Sequence, residues 1–146
     1  MDISFRRVSE SDEPFVEDVY FETQRWIIEA LFGWRGDGVE REKFRESYDV
    51  DNTNIILAGG VSVGWWTVQR STSEIHLAAI YLLSSHQGQG IGSGVIRDLM
   101  AEADKACVPI RLSTAAINPA RGLYARLGFL LTHEDRYKAY FERKPA

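Results

Sequence analysis

Ile3 to Val8 alternates apolar and polar positions with the two-residue period of a short strand. Ser9, Ser11 and Asp12 then offer side-chain acceptors for a helix start, ahead of Pro14 in the first turn. From there the period changes. Phe15, Val19, Trp26 or Ile27, and Ala30 or Leu31 keep one face apolar, with Glu17, Asp18, Glu22 and Arg25 off it, which predicts a helix ending near Phe32 and Gly33. Trp34 to Gly38 is a turn-rich break, and the charge-dense run Val39 to Tyr48 reads as a second, shorter helix with Phe44 and Tyr48 facing inward. Trp34 in that break reads either as a substrate-facing residue or as a plug between the two helices.

Two β-rich runs follow, Thr53 to Ala58 and Val61 to Arg70, joined at Gly59-Gly60 as a hairpin. Trp65 and Trp66 are neighbours in the second run and so point to opposite faces, one toward the core and the other free to line a cleft. After the turn at Ser71 to Ser73 comes a strand over Glu74 to Leu83. It is apolar on both faces from Leu77 onward, as inside a sheet, and its polar members Glu74 and His76 sit at its beginning. A helix from about Gly90 to Cys107 carries Ile91, Val95, Ile96, Leu99, Met100 and Ala103 at helical spacing. Pro109 breaks the pattern before a strand at Ile110 to Thr114. Asn118-Pro119 opens another helix, which Gly128 closes after Leu127. Phe129 to His133 and Tyr137 to Glu142 are two closing strands. Antiparallel hairpins combined with a crossover give a mixed α/β (α+β) sheet with helices on both faces. No linker, repeat or low-complexity stretch interrupts the order, so residues 1–146 read as a single domain.

At 146 residues, 45% hydrophobic and 26% charged, the chain is long enough to bury a real core. A formal net charge of -4 argues against a nucleic-acid partner, which would require a basic face. The one cysteine, Cys107, excludes an internal disulfide and reads as a small buried hydrophobe at the end of the long helix. No apolar run approaches the roughly 20 residues of a membrane helix, and no apolar segment follows a basic start. The expectation is a cytoplasmic protein with no membrane partner.

The stretch Gln87-Gly88-Gln89-Gly90-Ile91-Gly92-Ser93-Gly94 lies where strand passes into helix. Such a turn leaves backbone N–H groups unpaired, and glycine lets a ligand approach them, so it suits phosphate or pyrophosphate. A P-loop is excluded because no Lys-Ser or Lys-Thr follows the glycines. A dinucleotide-binding turn fits poorly, since Gly88, Gly90 and Gly92 are evenly spaced and no acidic residue closes the strand Ile110 to Thr114. What remains is Gln-x-x-Gly-x-Gly at Gln87, Gly90 and Gly92, beside the alternative of a glycine-rich helix start with no ligand.

This pattern resembles the pyrophosphate-binding signature of the GCN5-related N-acetyltransferases (GNAT), which hold acetyl-CoA at such a turn. The run Asn118 to Phe129, with Tyr124 and the closing Leu127-Gly128-Phe129, is similar to that family's second motif, a helix beside the cofactor thiol. The element order resembles the family's over nearly the whole chain, most weakly before residue 70. The resemblance implies an acyl-CoA N-acyltransferase fold, a central, mixed, mostly antiparallel sheet of six to seven strands flanked by about four helices. It also implies an acetyl-CoA-dependent N-acetyltransferase acting on a primary amine of a small molecule or peptide by direct attack, with no metal. A non-catalytic CoA-binding or regulatory module of the same fold is the alternative, and a Rossmann-type oxidoreductase a third. Dimers are frequent in the family, which leaves room for a homodimer through Tyr137 to Phe141.

By position, the resemblance assigns the pyrophosphate to Gln87, Gly88, Gln89, Gly90, Ile91, Gly92 and Ser93, and the pantetheine arm to the strand at Leu82 and Leu83. Asn118 matches a residue touching that arm, or else caps its own helix. Tyr124 matches the tyrosine that protonates the departing thiolate or hydrogen-bonds its sulfur; otherwise it is a core aromatic. Several members of the family carry a Glu or His base eleven residues before the first motif residue, which here is His76. Glu74, two residues away, would orient it or act through water; the alternative is a semi-buried His76 and a surface Glu74. Relatives with an acid nearer the turn differ from this chain, which has Ala78, Ala79 and Tyr81 there. Asp37, Glu40 and Glu74 hint at a cationic acceptor.

Overall fold

Residues 2–146 are described by a computed structural model of the chain. Strand β1 (Ile3–Arg7) leads into helices α1 (Glu13–Leu31) and α2 (Asp37–Ser47), followed by β2 (Thr53–Ala58), β3 (Val61–Arg70) and β4 (Ile75–Leu82). Then come α3 (Ile91–Ala106), β5 (Ile110–Ala115), α4 (Arg121–Arg126), β6 (Leu130–Glu134) and β7 (Lys138–Arg143). The strands form a seven-stranded sheet in the order β1-β2-β3-β4-β5-β7-β6. β1 with β2, β2 with β3, β5 with β7 and β6 with β7 pair antiparallel, whereas β4 and β5 run parallel across the connection that contains α3. This is the mixed, mostly antiparallel α/β sheet expected from the sequence. Among the described residues no helix is long and apolar enough to cross a membrane.

Two compact units share the chain: one runs up to Thr67 and adds Ala79–Gln87, and the other comprises Val68–Ala78 and Gly88–Ala146. In the first, Val16 and Val19 of α1, Phe44 of α2, Ile55 of β2 and Trp65 of β3 make the core, and Trp65 Nε1 donates to the Val16 carbonyl at 3.0 Å. Trp66 does not line a cleft. It is buried like Trp65, with its ring stacked 4.9 Å from Phe5 of β1. Glu17 is another departure: it is buried and accepts from Arg41 at 3.2 Å and Arg45 at 3.3 Å, pinning α1 to α2. Trp34 takes the plugging role, edge-on to Phe21 of α1 and donating to Asp37 at the start of α2 at 3.0 Å.

β4 is less enclosed than its sequence suggests. Only Ile75 and Leu77 are buried; Ala78 is exposed and Ala79 to Leu82 are half-buried. The reason is the short ladder to β5, which covers Ile75–Leu77 against Ile110–Leu112 and leaves the rest of that edge without a strand partner there. Gly64 of β3 admits the backbone of Tyr81 and Leu82: a Cβ at Gly64 would collide with the Tyr81 carbonyl and stand 2.8 Å from Leu82 Cδ2.

In the second unit the buried side chains include those of α3 (Val95, Ile96, Leu99, Ala103), β5 (Ile110, Leu112), β7 (Ala139, Phe141) and Phe129. Cys107 is exposed, not a buried hydrophobe. It follows α3 in the left-handed region at φ 56, which turns its side chain outward and gives the buried place to Val108. α4 starts at Arg121, later than expected, because Asn118 and Pro119 form a preceding turn in which Asn118 Oδ1 accepts from the Ala120 N–H at 3.0 Å.

Gly64→Ala is expected to cost about 1–3 kcal/mol by overpacking the β3–β4 approach. A lowered urea midpoint at unchanged slope would show it; an unchanged midpoint would mean that β4 yields freely.

Asp12 accepts two bonds from the Arg6 guanidinium at 2.8 Å each and one from the Ser9 N–H at 2.8 Å, and the Arg6 bonds above all hold its carboxyl well below the usual carboxylate range. Such a depressed pKa stabilises the fold above the unfolded value of about 3.9 and stops doing so as pH falls toward the folded value. Asp12→Asn should therefore lower Tm at pH 7 and reduce the further loss of Tm between about pH 4 and pH 2. Parallel Tm curves for the two proteins would contradict this.

Candidate active site

β4 leaves the sheet through a clip. The Leu83 N–H donates to the Val63 carbonyl at 2.8 Å, and Gln87 Nε2 reaches back to the Leu82 carbonyl at 3.0 Å. Between them a 3-10 turn spans Ser84–His86. Ser84 is tied to Glu22 of α1 through its N–H at 3.3 Å and its hydroxyl at 3.2 Å. Gln87 thus braces the end of the strand from which the glycine turn departs.

The turn is left-handed at Gly88, φ 74, and again at Gly90, φ 81, where α3 begins. These conformations are open to glycine and costly for other residues. Gly94 N–H makes an early helical bond, to the Gly90 carbonyl at 3.0 Å, and by helix geometry the N–H groups just before it have no acceptor within the helix. No acidic residue lies in the first turn of α3, and a Cβ at Gly88, Gly90 or Gly94 would meet nothing within 4 Å. An uncovered row of donors at the positive end of a helix dipole suits a phosphate-bearing ligand.

Asn118 and Tyr124 belong to the α4 segment. Asn118 Nδ2 donates to Thr114 Oγ1 at 2.8 Å while Oδ1 serves the Ala120 N–H, so this side chain joins the end of β5 to the start of α4. Tyr124 is 7% exposed, edge-on to Phe129 at 6.0 Å and tilted against Phe141 at 5.9 Å. Burial pushes its phenol up to about 12. α4 closes behind it, with the Leu127 and Phe129 N–H groups both donating to the Tyr124 carbonyl and Gly128 in the left-handed region at φ 93.

Glu74 and His76 line an open cavity of about 750 Å³, together with Gln69, Arg111, His133 and Tyr140. They do not face each other as partners. Glu74 accepts from Arg111 Nη1 at 3.0 Å, and the same guanidinium donates through Nε to Glu142 at 2.8 Å. His76 Nδ1 lies 3.0 Å from Gln69 Oε1. Tyr124 and Asn118 do not line this cavity. Gln69 and Arg111 were not legible as site residues. Their only signals in the sequence are a position across a tight hairpin turn and a register opposite His76 in β5.

The other acidic candidates are engaged. Glu40 is buried and takes the Arg35 guanidinium at 2.9 Å and 2.9 Å and the Arg35 N–H at 3.1 Å; the first of these holds its carboxyl below the usual range. Asp37 accepts from Trp34 and lies 3.9 Å from Arg25. Tyr81 packs edge-on to Trp65 at 5.0 Å and to Tyr20 at 5.6 Å. Among the described residues no group of His, Cys, Asp and Glu is arranged to hold a metal ion.

The family model for the acetyltransferase (GNAT) domain matches residues 50–130, more than half of the chain. No curated protein sequence matches significantly. Among solved structures, the chain is similar to the PaiA N-acetyltransferase of Thermoplasma acidophilum in complex with coenzyme A, at 18% identity and TM-score 0.77 over 99% of both chains. It is similar to an acetyltransferase of Thermus thermophilus, at 18% identity and TM-score 0.75 over 99% of this chain and 97% of that one. It is also similar to a ribosomal-protein alanine N-acetyltransferase of Escherichia coli, at 17% identity and TM-score 0.70 over 99% and 95%.

Proposed function

Because the chain belongs to the GNAT acetyltransferase family and is an N-acetyltransferase with acetyl-CoA as donor, we propose that it acetylates a primary amine of a small molecule or peptide by direct attack, as a single domain. The observation that carries this reading is the glycine turn, left-handed at Gly88 and Gly90, with its open row of N–H donors. Acetyl-CoA supplies an acetyl thioester: the amine nitrogen bonds to the carbonyl carbon, the C–S bond breaks and the sulfur leaves as a thiolate.

Residues Gln89 to Ser93 donate backbone N–H groups to the pyrophosphate, and Gln87 and Gly88 shape the approach. Leu82 and Leu83 offer backbone to the pantetheine arm unequally. The Leu83 N–H is committed to Val63, whereas the Leu82 carbonyl, already accepting from Gln87, has a second lone pair. Alignment of the arm gives proximity, which lowers the barrier without acid or base chemistry. Asn118 sets the start of the segment that carries Tyr124, and touches the arm.

Tyr124 acts at the leaving sulfur. Burial pushes its phenol up to about 12, so it remains protonated and able to donate as charge develops on the sulfur. Its contribution therefore begins as a hydrogen bond to the charge that develops on sulfur, with proton delivery completing as the thiol forms. His76 accepts the amine proton, a task that suits an imidazole at neutral pH. Glu74, held by Arg111, sets the charge around it rather than taking the proton itself.

Tyr124→Phe should lower kcat by about 10²-fold with little change in acetyl-CoA affinity. Unchanged kcat would remove the hydroxyl from the mechanism. Since the phenol stays protonated until about pH 12, the alkaline side of the wild-type profile up to pH 10 should carry no Tyr124 ionisation. Gly90→Val should raise the Kd for acetyl-CoA at least tenfold in calorimetric titration, through about 1–2 kcal/mol of left-handed strain and a side chain over the donors. Retained affinity would detach the turn from cofactor binding. Release of free thiol on adding an amine from a panel of polyamines, aminoglycosides and peptides would identify the acceptor class.

A further inference from the structure

We propose that Gln69 is a positioning residue that fixes the tautomer of His76, its Oε1 accepting the Nδ1 proton so that Nε2 is the basic atom of the ring. The inference rests on the reading of His76 as proton acceptor and deepens it. An amide oxygen has lone pairs and no proton, so at 3.0 Å from Nδ1 it selects the ring with hydrogen on that nitrogen. The neutral imidazole then has its lone pair on Nε2.

The pairing is built into the hairpin between β3 and β4. Ser71 N–H donates to the Glu74 carbonyl at 3.0 Å, and the Glu74 N–H donates to Ser71 Oγ at 3.2 Å, closing the turn. Counting outward from that closure in an antiparallel hairpin sets Gln69 opposite His76.

The surrounding charges explain why an amide serves here. On the neighbouring strand Arg111 is in register with His76, and its guanidinium is matched by Glu74 and Glu142. Arg70, next to Gln69, is matched by Glu102. The remaining titratable groups lining the cavity are His133 and Tyr140, whose rings stack on each other at 4.2 Å. A carboxylate at position 69 would orient the ring equally well but would favour its protonated form, occupying the lone pair that must take the amine proton. Glutamine orients without charging.

The test is 15N–1H long-range correlation NMR on the 15N-histidine-labelled protein, with His76→Gln to assign the ring among the three histidines, alongside steady-state kinetics. The neutral ring of His76 should carry its proton on Nδ1, and Gln69→Met should move it partly or wholly to Nε2. Wild type with the proton on Nε2, or a tautomer unaltered in Gln69→Met, would overturn the proposal. Gln69→Met should lower kcat about tenfold or more, as expected when the group fixing an imidazole tautomer is lost, with KM for acetyl-CoA unchanged. Gln69→Glu should restore the Nδ1 tautomer and shift the acid limb of kcat/KM upward by about one pH unit. His76→Gln separates the two ideas. If it leaves kcat and its pH profile intact while Gln69→Met still shifts the tautomer, the base assignment fails and the tautomer assignment stands. If His76→Gln is inactive and Gln69→Met changes neither tautomer nor kcat, the proposal about Gln69 fails alone.

Discussion

The N–H groups at the start of α3 have no acceptor within the helix, and the left-handed turn before them leaves them uncovered. The strand that precedes the turn is fixed at its own end. Gln87 clips its side-chain amide to Leu82, Leu83 is bonded to Val63, and Gly64 lets the β4 backbone come close to β3. A glycine in the left-handed region at Gly90 is strain-free where another residue would lose about 1–2 kcal/mol. Ile91, buried immediately after it, anchors the first turn from below. On the proposed assignment, in a chain of net charge -4, an anion at this turn would be met by neutral backbone dipoles, so the overall charge carries no sign of such a site.

Two acids on the first two helices are committed to the fold. Glu17 and Glu40 are both buried, and each is matched by arginines on geometry that satisfies more than one oxygen or proton. Removing one partner of such a pair leaves an uncompensated buried charge, which is why these acids behave as structural fixtures rather than receptors for a cationic substrate. Glu40 is thereby taken out of the reach of a cationic substrate, whereas Asp37, bonded to Trp34, keeps an exposed carboxylate.

Local signals made much of this readable beforehand. Two-residue alternation and Gly59-Gly60 gave β2 and β3 to the residue, and helical spacing after the glycine turn gave α3. Long-range features were hidden. Glu17 looked like a solvent charge because its partners lie 24 and 28 residues on. That Trp65 and Trp66 are both buried is hidden because alternation says which way each side chain points but not that Phe5 covers Trp66. The hydrophobicity of Cys107 points inward, whereas its place as the left-handed residue that ends α3 turns it outward. Gln69 carries no motif at all; its relation to His76 exists only through hairpin register.

On the proposed mechanism the two proton-handling side chains are opposites, and environment makes them so. Tyr124 sits among Phe129 and Phe141, where the phenolate would be poorly solvated; its phenol is pushed up to about 12, which keeps it a donor at every physiological pH. His76 is half-buried on an open cavity, oriented by a neutral amide beside charges that largely balance one another. A dry phenol holds a hydrogen bond toward a leaving sulfur without losing its proton beforehand. A wet imidazole takes a proton and hands it on to water. Exchanging the two environments would defeat both roles: a solvated tyrosine would spend its hydrogen bond on water, and a histidine enclosed by rings would have no route for the proton it accepts.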